Sequence, residues 1–199
     1  DKLGLSDNTM IIVTSDNDPV VDGGYKDGAV EKLGGHKPAG PLRGGKYGAF
    51  DGGTRIAFVV RWPGRIKSGT TDALFSQIDL MASFAALTGQ TLPSDAGSDS
   101  FDNLNTLTGQ SKTGRDWLVE HSSNGRLSLI RGDWKIIEPG PGPKLNVNTN
   151  IETGNDTVPQ LYNLKTDLGE RNNVAGENIE KYNELKDLLE KIKTSNFKY

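Results

Sequence analysis

Directly after an apolar run, Met10-Ile11-Ile12-Val13, the chain carries Thr14-Ser15-Asp16-Asn17-Asp18. The carboxylate of Asp16 and the amide carbonyl of Asn17 are adjacent hard oxygen donors, suited to Ca²⁺ or Mg²⁺ and poorly matched to zinc. Ligands gather beyond the carboxyl ends of strands in mixed α/β sheets, which is where this pair falls. Asp and Asn also close turns by hydrogen-bonding their own backbone, and local sequence leaves both readings open. A second candidate is the stretch Pro41–Arg55, where Arg43, Lys46 and Arg55 are interleaved with glycines. Glycine lets backbone approach an anion closely, and a lysine is a compact point charge suited to phosphate or sulfate. Equally, a lone loop lysine is a common solvated residue. The spacing is not that of a nucleotide-binding P-loop, because Tyr47 follows Lys46 and no helix is expected there.

These residues need elements to hold them. Twelve of the 25 glycines fall between Gly23 and Gly64, so this stretch is expected to be a long loop and not a helix. Two apolar runs, Met10–Thr14 and Ile56–Arg61, flank it and read as buried strands. Ser76–Gly89 reads as a helix, with Ser76 and Asp79 spaced as a capping box, Leu80, Phe84 and Leu87 on one face, and Gly89 as the stop. The polar stretch 92–114 suggests a boundary between two lobes. Beyond it, Asp116–His121 reads as a strand, and Arg126–Ile130 with Trp134–Ile137 as a β-hairpin around Arg131-Gly132-Asp133. A Pro-, Gly- and Asn-rich excursion over 139–159 precedes a short strand at Gln160–Leu164. An amphipathic helix follows over 178–193, with Ile179, Tyr182, Leu185, Leu189 and Ile192 on one face.

Composition narrows the function classes. Leu, Ile, Val and Phe supply about a quarter of the 199 residues, enough to build a core. A formal charge of -3 argues against a nucleic-acid partner. No apolar stretch approaches the ~20 residues a bilayer span needs, which argues against a membrane partner. With no cysteine, this chain has no disulfide, thiolate metal site or cysteine nucleophile. The chain enters its first strand within a dozen residues and lacks an initiator Met, as a piece of a longer protein would.

Four blocks in order carry a family resemblance. Asp7-Asn8-Thr9 through Thr14-Ser15-Asp16-Asn17 resembles the "DNT-hydrophobic-TSDNG" segment of the formylglycine-dependent sulfatases, arylsulfatase-like members of the alkaline phosphatase superfamily. Arg43-Gly44-Gly45-Lys46, Asp51-Gly52-Gly53-Thr54-Arg55 and Trp62-Pro63-Gly64 resemble that family's "RGGK…EGGxR…WPG" block. Gln77-Ile78-Asp79-Leu80 is similar to the start of its next helix, and Leu161–Asn173 to its "LYDLxxDPxExxN" run. The resemblance is strong over residues 7–90 and weaker over 116–193.

It implies an α/β fold: residues 1–95 as the incomplete C-terminal part of a mixed-sheet catalytic domain, and 110–199 as a smaller α+β domain with an antiparallel sheet and C-terminal helix. It implies hydrolysis of sulfate monoesters, of a sulfated small molecule or carbohydrate, using formylglycine and Ca²⁺. Asp16 and Asn17 match the later pair of metal ligands, and Lys46 matches the lysine that touches the sulfate. Arg55 matches a structural position, paired with Asp51. His36, in a glycine-rich loop, is placed where it reaches the sugar or leaving group; His121 is read as structural. A periplasmic or secreted location is implied.

The departures are specific. The family's nucleophile lies in a Cys/Ser-x-Pro-x-Arg motif. The nearest string, Ser111-Lys112-Thr113-Gly114-Arg115, lacks the proline, follows the other blocks instead of preceding them, and is rejected. No early aspartate pair precedes Asp16. Asp18 replaces a glycine, either straining that turn or adding a carboxylate, and Asp51 stands for glutamate. The isolated chain is therefore expected to be inactive, with weak Ca²⁺ affinity. Self-association through a truncated sheet is a further expectation. The alternatives are a phosphodiesterase or phosphonate hydrolase of the same superfamily, against which two histidines argue, and a non-catalytic interaction module.

Overall fold

The computed structural model describes residues 2–194. A 3-10 turn at Ser6–Asn8 is followed by β1 (Ile11–Thr14), α1 (Ala29–Lys32), α2 (Asp51–Thr54), β2 (Phe58–Arg61), α3 (Asp79–Leu87) and α4 (Leu104–Leu107). Then come β3 (Trp117–His121), β4 (Leu127–Arg131), β5 (Trp134–Ile137), β6 (Leu145–Asn146), β7 (Ile151–Glu152), β8 (Gln160–Asn163) and α5 (Ile179–Thr194). These form two compact units, each assembled from separated stretches: residues 2–14, 58–118 and 192–194 in one, and 15–57 with 119–191 in the other. That partition follows compactness, whereas the 1–95 and 110–199 division rests on composition and resemblance. No helix among the described residues is long and apolar enough to cross a membrane.

In the first unit β1 and β2 pair antiparallel, Ile12 opposite Val60 and Thr14 opposite Phe58. They were expected to be buried, and they are not: Val13 is 63% and Val59 59% exposed. A two-stranded ladder has little to bury against. The Trp-Pro-Gly block closes it, since the Trp62 indole N–H donates to the Asp7 carbonyl at 3.0 Å. A Cβ on Gly64 would lie 2.5 Å from that same oxygen, so only glycine fits.

Helix α3 forms within the expected stretch, but its fully buried residues are the polar Asp79 and Ser83, while Phe84 is exposed. Asp79 accepts from the Arg115 guanidinium through both oxygens, at 2.6–3.0 Å, and from the Phe101 N–H at 3.0 Å. Half of the capping box is present, in the Ser76 N–H donating to Asp79 Oδ2 at 3.2 Å. Arg115 also stacks over the Phe101 ring, its guanidinium carbon 4.1 Å from the centroid. The arginine of the rejected nucleophile-like string is thus consumed by structure.

The second unit is built on a sheet ordered β3-β4-β5-β8, with β4, β5 and β8 antiparallel. Arg131 pairs with Trp134 across a two-residue turn in which Gly132 has φ +56°, as the hairpin reading requires. The register aligns Leu129, Ile136 and Leu161 on one face, all buried. Side-chain alternation puts Ser128, Lys135, Ile137 and Gln160 on the other, and these too are buried. Helix α5 buries Tyr182, Leu185 and Leu189. The 139–159 excursion is not wholly irregular, because β6 and β7 pair antiparallel within it.

Candidate functional site

The glycine-rich loop contains one turn of helix, α2, where sequence excluded one. Close packing explains it. The Gly52 N–H donates to the Arg43 carbonyl at 2.8 Å, and a Cβ on Gly52 would lie 2.3 Å from that oxygen. A Cβ on Gly53 would lie 2.6 Å from the Gly45 carbonyl. Backbone therefore replaces side chains at this contact, and helix propensity is overridden.

Two ionic clusters fix this loop. Arg43 grips Glu152 through Nε and Nη2 at 2.6–3.0 Å, donates through Nη1 to the Glu170 carbonyl at 2.7 Å, and covers the Phe50 ring at 4.0 Å. Its hydrogen bond with Glu152 holds that carboxyl below the usual carboxylate range. Asp51 accepts from Arg55 at 2.7 Å, the expected pair, and from Lys135 at 2.6 Å.

Lys135 was not anticipated. It is 0% exposed, and its Nζ also lies 3.1 Å from Glu120 and 3.3 Å from Glu170. Three N–H donors face three carboxylates. Attraction from those carboxylates raises the lysine pKa despite burial. Asp51 is held below the usual range, because Lys135 and Arg55 outweigh its burial. Glu170 goes the other way, to about 7, chiefly through burial, which attraction from Lys135 only partly offsets and to which Asp51 adds repulsion. Glu170 also occupies φ +51°, and its Oε2 accepts from the Asp51 N–H at 2.6 Å.

The chain after β1 is tied to the same scaffold. Ser15 Oγ donates to the Asn17 carbonyl at 2.8 Å, forming the turn that presents Asp16 and Asn17. The Asp18 N–H reaches the Gly53 carbonyl at 3.4 Å, and the Lys46 N–H the Pro19 carbonyl at 3.3 Å. Asp18 is not among the residues with positive φ, so its replacement of glycine does not force a left-handed turn. It does add a carboxyl, pushed to about 6 by burial and then by Asp51, with Oδ2 buried and without a hydrogen-bond partner.

The outcome is a cavity of about 280 Å³ within the second unit, lined by Asp16, Asn17 and Lys46 together with Tyr47, Gly48, Gly53, Thr54 and His121–Ser123. Residues 30 positions apart in sequence, Asp16 and Lys46, thus share one cavity. His36 does not line it; that side chain is exposed, on a turn in which its N–H bonds the Leu33 carbonyl at 3.1 Å. His121, read from sequence as structural, does line it. Nothing local marks His121, since it is simply the last residue of a strand.

Asp16 and Asn17 suit a hard cation as part of a coordination shell. They cannot complete one, because Ca²⁺ takes six to eight oxygens. Among the described residues no group of three or more His, Cys, Asp or Glu side chains is placed to hold a metal. A second cavity, of about 240 Å³, is lined by Arg43, Glu152, Lys144 and Asp156, whose charges already pair with one another or with neighbours.

Comparisons with known proteins point to one family. The Sulfatase family model matches residues 1–90. An N-acetylgalactosamine-6-O-sulfatase of Bacteroides thetaiotaomicron is 52% identical over 98% of this chain and 38% of its own length. Human arylsulfatase A is 31% identical over 87% of this chain and 35% of its length. A solved structure concerned with metabolism of multiple glycosaminoglycans by Bacteroides thetaiotaomicron superposes with a TM-score of 0.94 at 51% identity, covering 98% of this chain and 40% of that one. The chain spans less than two fifths of the length of the curated relatives named here.

Proposed function

The chain belongs to the sulfatase family, and on that premise we propose that it is the C-terminal part of an enzyme hydrolysing sulfate monoesters of carbohydrate. The observation that supports this reading is the single cavity shared by Lys46, Asp16 and Asn17. An ammonium and a cation-binding oxygen pair around one space suit a tetrahedral oxyanion ester.

In this reading Lys46 binds a sulfate oxygen and neutralises charge that builds during S–O cleavage. Asp16 and Asn17 would hold a Ca²⁺ ion, which supplies positive charge to the sulfate oxygens when bound. Thr54 Oγ1, buried without a partner on the cavity wall, is a hydrogen-bonding group that a substrate oxygen satisfies. Arg43, Asp51, Arg55 and Lys135 hold the loop and touch no substrate. The nucleophile comes from outside these 199 residues, which contain no cysteine. The 52% identical relative's name makes a 6-sulfated amino sugar the substrate class to try first.

The test is turnover by the full-length protein of 4-nitrophenyl sulfate, 4-nitrophenyl phosphate and N-acetylgalactosamine 6-sulfate. Both sulfate esters should be hydrolysed in preference to the phosphate, and a chelator should abolish it. Preference for the phosphate would replace this reading with phosphoryl transfer.

A further inference from the structure

We infer that His121 contacts the sugar portion of the substrate and sets its selectivity, a reading that rests on the sulfate-ester activity proposed above. The cavity lining holds two chemically different sets of groups. One is the charged and oxygen-donor set Lys46, Asp16 and Asn17; the other is the run His121-Ser122-Ser123 at the end of β3. Charge recognition of the sulfate uses the first set. The second is left for the rest of the substrate, and imidazole and hydroxyl donors and acceptors suit its hydroxyl and amide groups.

Hydrogen bonds hold the two serines of this run in place. The Ser122 N–H donates to the Arg126 carbonyl at 2.9 Å, and Ser122 Oγ accepts from the Arg126 N–H at 3.0 Å. Ser123 donates both its N–H and its Oγ to the Tyr47 carbonyl, each at 3.2 Å. Tyr47 directly follows Lys46 and sits at φ +83°, a conformation costly for a non-glycine residue. The turn thus holds the strained residue next to the sulfate-binding lysine, fixing both sets of groups in one frame. Within that frame the imidazole of His121 is exposed at the cavity edge. The cavity, of about 280 Å³, is at the small end for ligand sites.

The experiment compares kcat/KM of the full-length enzyme for N-acetylgalactosamine 6-sulfate and for 4-nitrophenyl sulfate in His121→Ala and His121→Gln. Losing a hydrogen bond made to the sugar should lower the sugar-to-aryl selectivity ratio about tenfold in His121→Ala, mainly through KM. Glutamine, which keeps a donor and an acceptor, should recover part of it. A ratio unchanged within about twofold overturns the inference, as does an equal loss on both substrates, which would mark a structural role. Absence of turnover of both sulfates by the unmutated enzyme would overturn the sulfatase reading and this inference with it. Intact unmutated activity with an unmoved ratio would overturn this inference alone.

Discussion

Replacing Lys135 by methionine removes the one cation at the centre of the second unit's polar core. Asp51, Glu120 and Glu170 lie within 2.6–3.3 Å of its Nζ, and it is fully buried. Methionine fills the space but leaves three carboxylates with Arg55 alone, which pairs with Asp51 from a half-exposed position. Breaking a buried ion pair by removing one partner typically costs about 3–5 kcal/mol, and the upper end applies where three partners are stranded. The cost should depend on pH. Glu170 in the native protein has its pKa raised from 4.5 to about 7, so the folded state binds more protons than the unfolded one between those values. Stability therefore falls as pH rises from about 4.5 to 7, by up to ~3 kcal/mol from this group. Without Lys135, Asp51 loses an attraction that holds it low and Glu170 loses one that offsets its burial, so the penalty of Lys135→Met should be largest near pH 7 and shrink toward pH 5. Urea unfolding of both proteins followed by circular dichroism at the two pH values measures this. A penalty under about 1 kcal/mol, or one that does not change with pH, would refute the account of the cluster. Adding Glu170→Gln to the variant should restore part of the loss at pH 7.

Gly52→Ala should destabilise the protein by about 2 kcal/mol or more and lower sulfatase activity, because the new Cβ meets the Arg43 carbonyl backbone; thermal unfolding and turnover check both. Arg115→Met should cost about 3–5 kcal/mol by stranding the buried Asp79, read as a drop in urea midpoint, whereas a near-neutral result would contradict the structural role given to this arginine. The isolated 199-residue chain should show no turnover of a chromogenic aryl sulfate, and activity there would mean that the nucleophile lies within it.

Much of this was legible in sequence where the signal is local. The hairpin around Gly132, the helix from Ile179, the strand at Gln160 and the Asp51–Arg55 pair each depend on residues a few positions apart. Asp16, Asn17 and Lys46, picked out because they sit in blocks with a family pattern, line one cavity. What failed was burial set by distant partners. Lys135, between Trp134 and Ile136, reads as a solvated strand residue, and its partner Asp51 is 84 positions away. On α3 sequence marked an apolar face of Leu80, Phe84 and Leu87 but not the burial of Asp79, which Arg115, 36 positions on, pairs with. The one-turn helix through Gly52 and Gly53 was excluded on propensity, which carries no information about backbone packed against backbone. The cavity position of His121 was not legible for a similar reason: its place on a strand says nothing of which cavity the strand's end borders.

The most direct test of the central claim is kcat/KM for sulfate ester hydrolysis by the full-length enzyme carrying Lys46→Ala. Removing a charge that stabilises the transition state should lower it about 10²–10³-fold with the fold intact by circular dichroism. A folded variant retaining activity within about threefold of the parent would contradict the assignment of this cavity as the sulfate site.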